Sequence, residues 1–416
     1  MSSPDTTLQK PVLPPPVIEQ GALGWAHANL FSNRFNTTLT VISLAILGIV
    51  LWSSLRWLAF ESDWTVIATL SGRLIMGPYN TESACPGQDC FWRPQAALLL
   101  VTMLLGMGWG IAGGGLTKRY AIGVVAVLAA FSLLPYGLDE MGMDVRLLLL
   151  ANIPALALGW FLARHTGLGT ARWLAILAVG TFVVTLVLLR GVEGIPGMQP
   201  VSVNHWGGLM LNLLLAVAGI TLSFPLGVGL ALGRRSRLPV VKLLCVLFIE
   251  IFRGVPLITL LFMSQTLVPL AFPKDFPVNS LMRAGIVITL FSAAYMAENI
   301  RGGLQALHRG QTEAAQSLGL KTWQSTMFIT LPQAIRNVIP AIVGQFIALF
   351  KDTTLVFIIG MQDILTYSRA FIQGNPEFIA SAQELFIFLA LVFWIFTYSM
   401  SHISRRIEEH LGVGRR

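Results

Sequence analysis

The sequence predicts an all-α integral membrane protein with about ten transmembrane helices, and three observations carry that expectation. Apolar residues make up 55% of the chain and charged residues only 12%, with a mean hydropathy of +0.71. A soluble domain carries roughly 25% charged residues. The apolar residues are gathered into runs of the length a bilayer demands, about 20 residues of helix. Finally, the basic residues collect in alternate loops, as the positive-inside rule requires.

Residues 1–38 form a flexible tail with Pro11, Pro14, Pro15 and Pro16 and no apolar core, so they do not read as a cleavable signal peptide. Apolar runs begin near Leu39, Ala96, Ala121, Leu147 and Ala171, then near Leu209, Val240, Ala284, Val338 and Leu385. The expected divisions are the tail, a membrane domain at 39–205 and a second at 206–416, each membrane domain with about five helices. An even number of spans puts both termini on one side. Lys118, Arg119, Arg164, Arg172, Arg234, Arg235, Arg237, Lys242, Arg301, Arg309, Lys321, Arg336, Arg405 and Arg406 all fall on that side, which makes it cytoplasmic. The other loops carry Glu61, Asp63, Glu82, Asp89, Asp139, Glu140, Asp144, Glu193 and Glu377, with fewer bases. The net charge of +8 is scattered through short loops, so it reports orientation in a bilayer and not affinity for nucleic acid.

The longest outer loop, near residues 61–94, sets Cys85 and Cys90 around Pro86-Gly87. A Pro-Gly turn brings such side chains within bridging distance, and the predicted side is an oxidising compartment such as a periplasm. A disulfide is the favoured reading and two free thiols the other. No third ligand of a suitable type stands nearby, so no metal site is expected. Cys245, inside an apolar run, reads as a packing residue.

Ionisable residues inside spans concentrate in the second half. Glu250 and Arg253 share a helix face at a spacing of three, and Glu298 and Arg301 repeat it. Ties between helices are the favoured reading; contact with a substrate is the alternative. Lys351 and Asp352 interrupt the apolar run from Val338 to Ile359 near its middle, with Thr353 and Thr354 beside them. A charge at membrane depth costs about 2.5–3.5 kcal/mol and is usually paired or set on a wet pathway. Adjacent residues on a helix point about 100° apart, so this pair is not one simple bridge. Either the residues line a pathway or the helix breaks there and a neighbouring span satisfies them. The candidates for a translocation path are thus Lys351, Asp352, Thr353, Glu250, Arg253 and Glu298.

One long polar stretch, GQTEAAQSLGLKTWQSTMFITLPQAIRNVI, separates two late spans. Glu313 in a first helical turn suits the positive helix end and leaves a carboxylate for a partner. Ala314, Ala315 and Leu318 offer a small apolar face, Gly319 permits the turn out, and Trp323, Met327 and Phe328 anchor a second helix. Leu331-Pro332 restarts the chain toward the next span. Taken alone, the stretch fits either a docking hairpin or an interfacial loop with no partner.

The phrases TLSFPLGVGLALGR, EIFRGVPL, SAAYMAENIRGGLQALHRGQTEAAQSLGL, TLPQAIRNVIPAI and LFKDTTLVFIIGMQDIL occur in this order from Asn212 onward. Together they resemble the membrane permease subunits of ATP-binding-cassette (ABC) importers for polar amino acids. Val255-Pro256-Leu257 and Asp352-Thr353-Thr354 stand where the family more often has Thr-Pro-Leu and Asp-Thr-Ser. The N-terminal half, by length, layout and cysteine loop, is similar to the long M-type permease of general L-amino-acid uptake systems.

The resemblance implies a five-span type I permease core whose EAA helix, Gln311 to Leu320, docks in a cleft of a nucleotide-binding subunit. The coupling residues it implies are Glu313, Ala314, Ala315, Leu318, Gly319, Leu331 and Pro332. It also implies a bacterial inner-membrane location and a substrate-translocating role for L-amino acids. The partners would be an ATPase dimer holding ATP and Mg, a periplasmic binding protein, and a second permease, a heterodimer being the favoured arrangement and a homodimer the alternative. The sequence holds no G-x-x-x-x-G-K-[ST], so ATP is not bound that way by this chain. An ion-gradient-driven secondary transporter is the rival, but no repeat between the halves is visible. A membrane enzyme fits poorly. The histidines at 27, 165, 205, 308, 402 and 410 are dispersed, with no H-E-x-x-H and no G-x-S-x-G.

Overall fold

The computed structural model describes residues 21–80, 84, 85, 90, 92–112, 119, 122, 123, 126, 147, 150–167, 169–271 and 278–412. Two compact units are distinguished, residues 1–63 and 64–416. In the first, α1 (Gly21–Leu30) precedes α2 (Arg34–Arg56), which runs on through a π turn to Glu61. The Asn33 side chain caps α2 by accepting from the Asn36 N–H at 2.8 Å. Helical order therefore begins before residue 38, inside the segment expected as a tail. No residue of α2 is buried, which suits a helix whose solvent is lipid.

The second unit begins with α3 (Thr65–Met76), followed by α4 (Trp92–Ala112), α5 (Asn152–His165) and α6 (Ala171–Arg190). Helices α4 and α5 pack together along their length. Thr102 donates to Asn152 Oδ1 across that seam at 2.7 Å, a buried polar tie between apolar faces. The second half comprises α7 (Gly208–Arg234), α8 (Pro239–Gly254), α9 (Leu257–Ala271), α10 (Ser280–Gln305), α11 (Gly310–Ser317), α12 (Leu331–Asn337), α13 (Ile339–Asp352), α14 (Ile364–Gly374) and α15 (Ala382–Leu411).

Among the described residues, seven helices are long and apolar enough to cross a membrane, and α8 with α9 makes an eighth if counted as one span. The expected span at Ala121 falls almost wholly outside the described residues. The one expected at Leu147 is represented by the 14-residue α5. The span expected from Val240 is bent by 106° between α8 and α9. Pro256 explains the break: it excludes its predecessor from helical geometry, and Val255 accordingly has φ −105° and ψ 132°.

Helices α7 and α10 are the central pair. Leu211, Leu215 and Ala216 on α7 meet Ala284 and Ile288 on α10, with Leu349 and Phe350 of α13 closing this half of the core. Toward the other end, Ala231, Ile249, Met296, Ala297 and Ile300 pack with Leu331, Ala334 and Ile342. Helix α3 is too short to span. Its Val66, Leu70 and Leu74 instead pack with Ile364 and Ile372 of α14 and with Leu385 and Leu389 of α15. A backbone junction secures this contact: Gly207 and Gly208 bridge to Gln362 and Asp363, while Gly77 presses on the same two glycines. A Cβ on Gly77 would lie 2.5–2.7 Å from Gly207 and Gly208 backbone atoms, and its φ of +60° also demands glycine.

Candidate functional site

The charged residues expected at membrane depth fall into two groups. The first joins α7, α8 and α10. Glu298 accepts from Arg301 one turn on (Nε to Oε1 2.9 Å), and its other oxygen lies 3.4 Å from Arg234 and 3.7 Å from Arg253. Glu250 pairs with Arg234 at 3.2 Å. Arg253 also lies over the Tyr295 ring, 5.5 Å from its centre, a cation–π contact. The Glu298–Arg301 spacing thus forms a bridge within one helix. The Glu250–Arg253 spacing does not: Arg253 turns to Glu298, and Glu250 turns to Arg234 at the end of α7. Three guanidiniums share two carboxylates across three helices, so the group fastens helices together and keeps one positive charge over. All five side chains retain some exposure, so each pair adds little alone, about 0.2–1 kcal/mol.

The second group surrounds the interruption in the penultimate apolar run. Helix α13 ends at Asp352 and tightens into 3₁₀ turns over Thr353–Ile359, which Gly360 terminates at φ +78°. Asn212 of α7, fully buried, fastens the break from the side. Its Nδ2 donates to Thr353 Oγ1 at 2.9 Å, and its Oδ1 accepts from the Ile364 N–H at 3.1 Å. Thr353 in turn donates to the Phe350 carbonyl at 2.7 Å. The α-helix gives way to 3₁₀ turns here, and Asn212 of a neighbouring span bonds to Thr353 at the change. Lys351 is exposed and Asp352 half-buried, while Thr353 is buried within the protein. In the sequence Asn212 stands out only as a polar residue inside a long apolar helix.

Asp363 follows the break. It is wholly buried and caps α14, accepting from the Leu365 and Thr366 N–H groups at 3.2 and 3.1 Å and from the Thr366 hydroxyl. Burial raises its pKa above the ordinary aspartate value, with the hydrogen bonds it accepts pulling the other way.

Helix α11 forms a separate feature. Its first turn carries exposed Glu313, and Ala314 and Leu318 are exposed as well. Ala315 differs from expectation: at 1% exposure it packs inward, because consecutive residues diverge by about 100° around a helix. Of the three apolar residues, only Ala314 and Leu318 are offered outward. The helix ends in a Schellman motif, with Leu320 N–H donating to the Ala315 carbonyl at 3.1 Å and Gly319 N–H to Gln316 at 2.9 Å. Gly319 has the left-handed φ of +76° that this ending requires. Leu331 is buried, and Pro332 sits exposed where the π turn over Ser325–Thr330 runs on into α12.

Residues 223–412, which span all these features except Asn212, match the family described as "Binding-protein-dependent transport system inner membrane component". YhdY of Escherichia coli K12, an inner membrane amino-acid ABC transporter permease protein, is 34% identical over 95% of this chain and 94% of its own length. The chain belongs to the amino-acid ABC transporter permeases. BztC of Rhodobacter capsulatus, a glutamate/glutamine/aspartate/asparagine transport system permease protein, is 34% identical to this permease, covering 96% of it and 95% of BztC. A chain from a crystal structure of an amino acid ABC transporter with histidines is 29% identical, with a TM-score of 0.43, over 48% of this permease and 90% of that chain. The relatives YhdY and BztC match along both halves, so the permease belongs to the long form of the family and the secondary-transporter alternative is not favoured.

Outside the matched stretch, Cys85 and Cys90 are disulfide-bonded, with Cα atoms 6.2 Å apart. Both are buried in a cluster with Met76, Tyr79, Leu189, Val201 and Trp206. Among the described residues, no group of three or more His, Cys, Asp or Glu residues is arranged to hold a metal ion.

Proposed function

We propose that this permease is the membrane-spanning subunit of an ATP-driven importer for L-amino acids, forming a translocation path and coupling it to a separate ATPase. The observation that carries the reading is the near full-length match to amino-acid permeases. In this reading the chain has about ten spans, counting those expected from Ala121 and Leu147. The tail at 1–38 and both termini are cytoplasmic, 39–205 is an added membrane domain, and 206–416 is the permease core.

Helix α11 is the EAA coupling helix. Glu313, Ala314, Leu318 and Gly319 meet a cleft of the ATPase, while buried Ala315 and Leu331, with exposed Pro332, hold the hairpin that presents them. ATP and Mg are bound by that partner. Its nucleotide state biases the core between outward and inward access, which requires contacts differing by a few kcal/mol between the two states. Exposed Lys351 and half-buried Asp352, beside the helix break, are the candidates for holding an amino acid's carboxylate and amine. Glu250, Arg253 and Glu298 serve as ties between helices next to the path. A periplasmic binding protein delivers substrate, a second permease completes a heterodimer, and the disulfide faces the oxidising side of the bacterial inner membrane.

The test is uptake of a panel of labelled L-amino acids by the reconstituted complex. Uptake that requires ATP supports the reading. Uptake that persists without ATP and collapses with the proton gradient overturns it.

A further inference from the structure

Three helices from both halves of the chain surround a small gap. Leu186 of α6, Leu214 of α7 and Leu281 of α10 pack against the cluster around the disulfide. The same leucines, with Phe182, Ala218 and Gly285, line an apolar recess of about 130 Å³. Gly285 helps to create the space: a Cβ added there would meet nothing nearer than Leu215 Cδ2, at 4.0 Å. Val183, Val217 and Met282, the next residues on the three helices, are exposed, so the recess opens sideways to whatever surrounds the helices.

Water does not suit this space. A trapped water needs two to four polar partners, and every side chain lining the recess is apolar. Left empty, the walls would forfeit their dispersion contacts. A dry apolar cavity of about 150 Å³ holds one benzene ring, so this one takes roughly six carbons. A turn of helix, about 10 Å wide and 5.4 Å long, is too large for it. The space fits a stretch of hydrocarbon chain.

Arg190 supplies the second half of the fit. It lies one turn beyond Leu186 on the same face of α6, about 6 Å nearer the outer end of the helix. Its side chain is exposed and forms no ion pair among the described residues. In the orientation proposed above it is a base on the side that carries few. A cation one turn above an apolar recess at the membrane's edge matches a phospholipid, with the chain below and the phosphate above. Glu193, exposed and three residues further on, offers the opposite charge to an amine on the headgroup.

We infer that α6, α7 and α10 hold one phospholipid of the outer leaflet. An acyl chain fills the recess, Arg190 binds the phosphate, and Glu193 receives the amine of a zwitterionic head. The lipid thereby fills the gap between the added N-terminal helices and the permease core. The inference needs these helices to span a bilayer in that orientation, and does not need transport to be ATP-driven.

The test uses the full complex, stripped of native lipid in detergent and returned to vesicles of phosphatidylethanolamine and phosphatidylglycerol. A trace of one lipid or the other carries a photoreactive diazirine on its acyl chain, and mass spectrometry maps the labelled residues. Helix α2, with no buried residue, reports labelling by ordinary surrounding lipid. The phosphatidylethanolamine probe should label residues 214–218 and the neighbourhood of Gly285 above the α2 level, and more than the phosphatidylglycerol probe does. Gly285→Leu fills the recess and is the better helix former, so it should fold and bring that labelling down to the α2 level. Arg190→Gln should lower the excess about tenfold, the loss expected of a charge-assisted hydrogen bond. Recess labelling no higher than α2 in the unaltered complex overturns the inference, whether bulk lipid or a protein neighbour fills the space. Labelling that survives Gly285→Leu overturns it too, and equal labelling by the two probes overturns the role given to Glu193. ATP-driven uptake by the same vesicles tests the importer reading separately, and its failure would leave the labelling result standing.

Discussion

Replacing Asn212 by Leu tests how the break after α13 is held. The substitution keeps the number and branching of heavy atoms while its methyl groups add some crowding, so the loss combines that strain with the missing hydrogen bonds. Thr353 keeps its own bond to the Phe350 carbonyl and loses only an incoming donor. The Ile364 N–H is different. It lies at the start of α14, fully buried, with Asn212 Oδ1 as its partner at 3.1 Å. A buried donor left without a partner costs about 1–3 kcal/mol. At roughly 1 °C per kcal/mol for a chain of this size, the melting temperature should fall by about 1–4 °C. Thermal unfolding of purified protein in detergent measures the effect. A cycle with Thr353→Val isolates the Asn212–Thr353 bond, whose coupling should be about 0.5–1.5 kcal/mol. An unaltered melting temperature for Asn212→Leu would refute the claim that this side chain fastens the two segments.

Three further outcomes are expected. Glu313→Lys, on the exposed first turn of α11, should reduce ATP-driven uptake in vesicles to background while membrane levels, read by immunoblot, stay unchanged. Asp363 should give a pH signature. Its folded pKa is raised by burial, so the folded state holds the proton more tightly, and stability falls as pH rises from the ordinary aspartate value of about 3.9 through the folded pKa. Asp363→Asn should abolish that slope and match or exceed wild-type stability at pH 7, while Asp363→Ala loses about 1 kcal/mol of capping, both measured as melting temperatures across pH. Cys85→Ser with Cys90→Ser should cost about 2 kcal/mol, the entropy of a short closed loop, and the unmodified protein should lose a similar amount in reductant.

The sequence made the polar hairpin legible because its signals are local. A glutamate in a first turn and a glycine where a left-handed residue is needed are readable within ten residues, and the structure has Gly319 at φ +76°. Glu298–Arg301 was legible for the same reason. What the sequence hid depends on contacts between distant segments. Arg253 is three residues from Glu250 yet pairs with Glu298 on another helix, and Arg234 joins the group from the end of a third. Ala315 was grouped with Ala314 by composition, whereas the helix turns it inward. The 106° bend had a local signal in Val255-Pro256, but continuous hydrophobicity on both sides suggested a single span. Asn212 offered only the weak signal of a polar residue in an apolar run, since its partners lie 141 and 152 residues away.

The three-glycine junction has a practical corollary for anyone dissecting the chain. Helix α3 shields apolar residues of α14 and α15, and Gly77 abuts the peptide planes where α7 begins. A fragment starting near Trp206 would therefore leave Ile364, Ile372 and Leu385 uncovered, and it would lack its neighbour at the first turn of its first helix. The halves are separable on a map of the chain, but the later half has no finished surface at that edge without the earlier one.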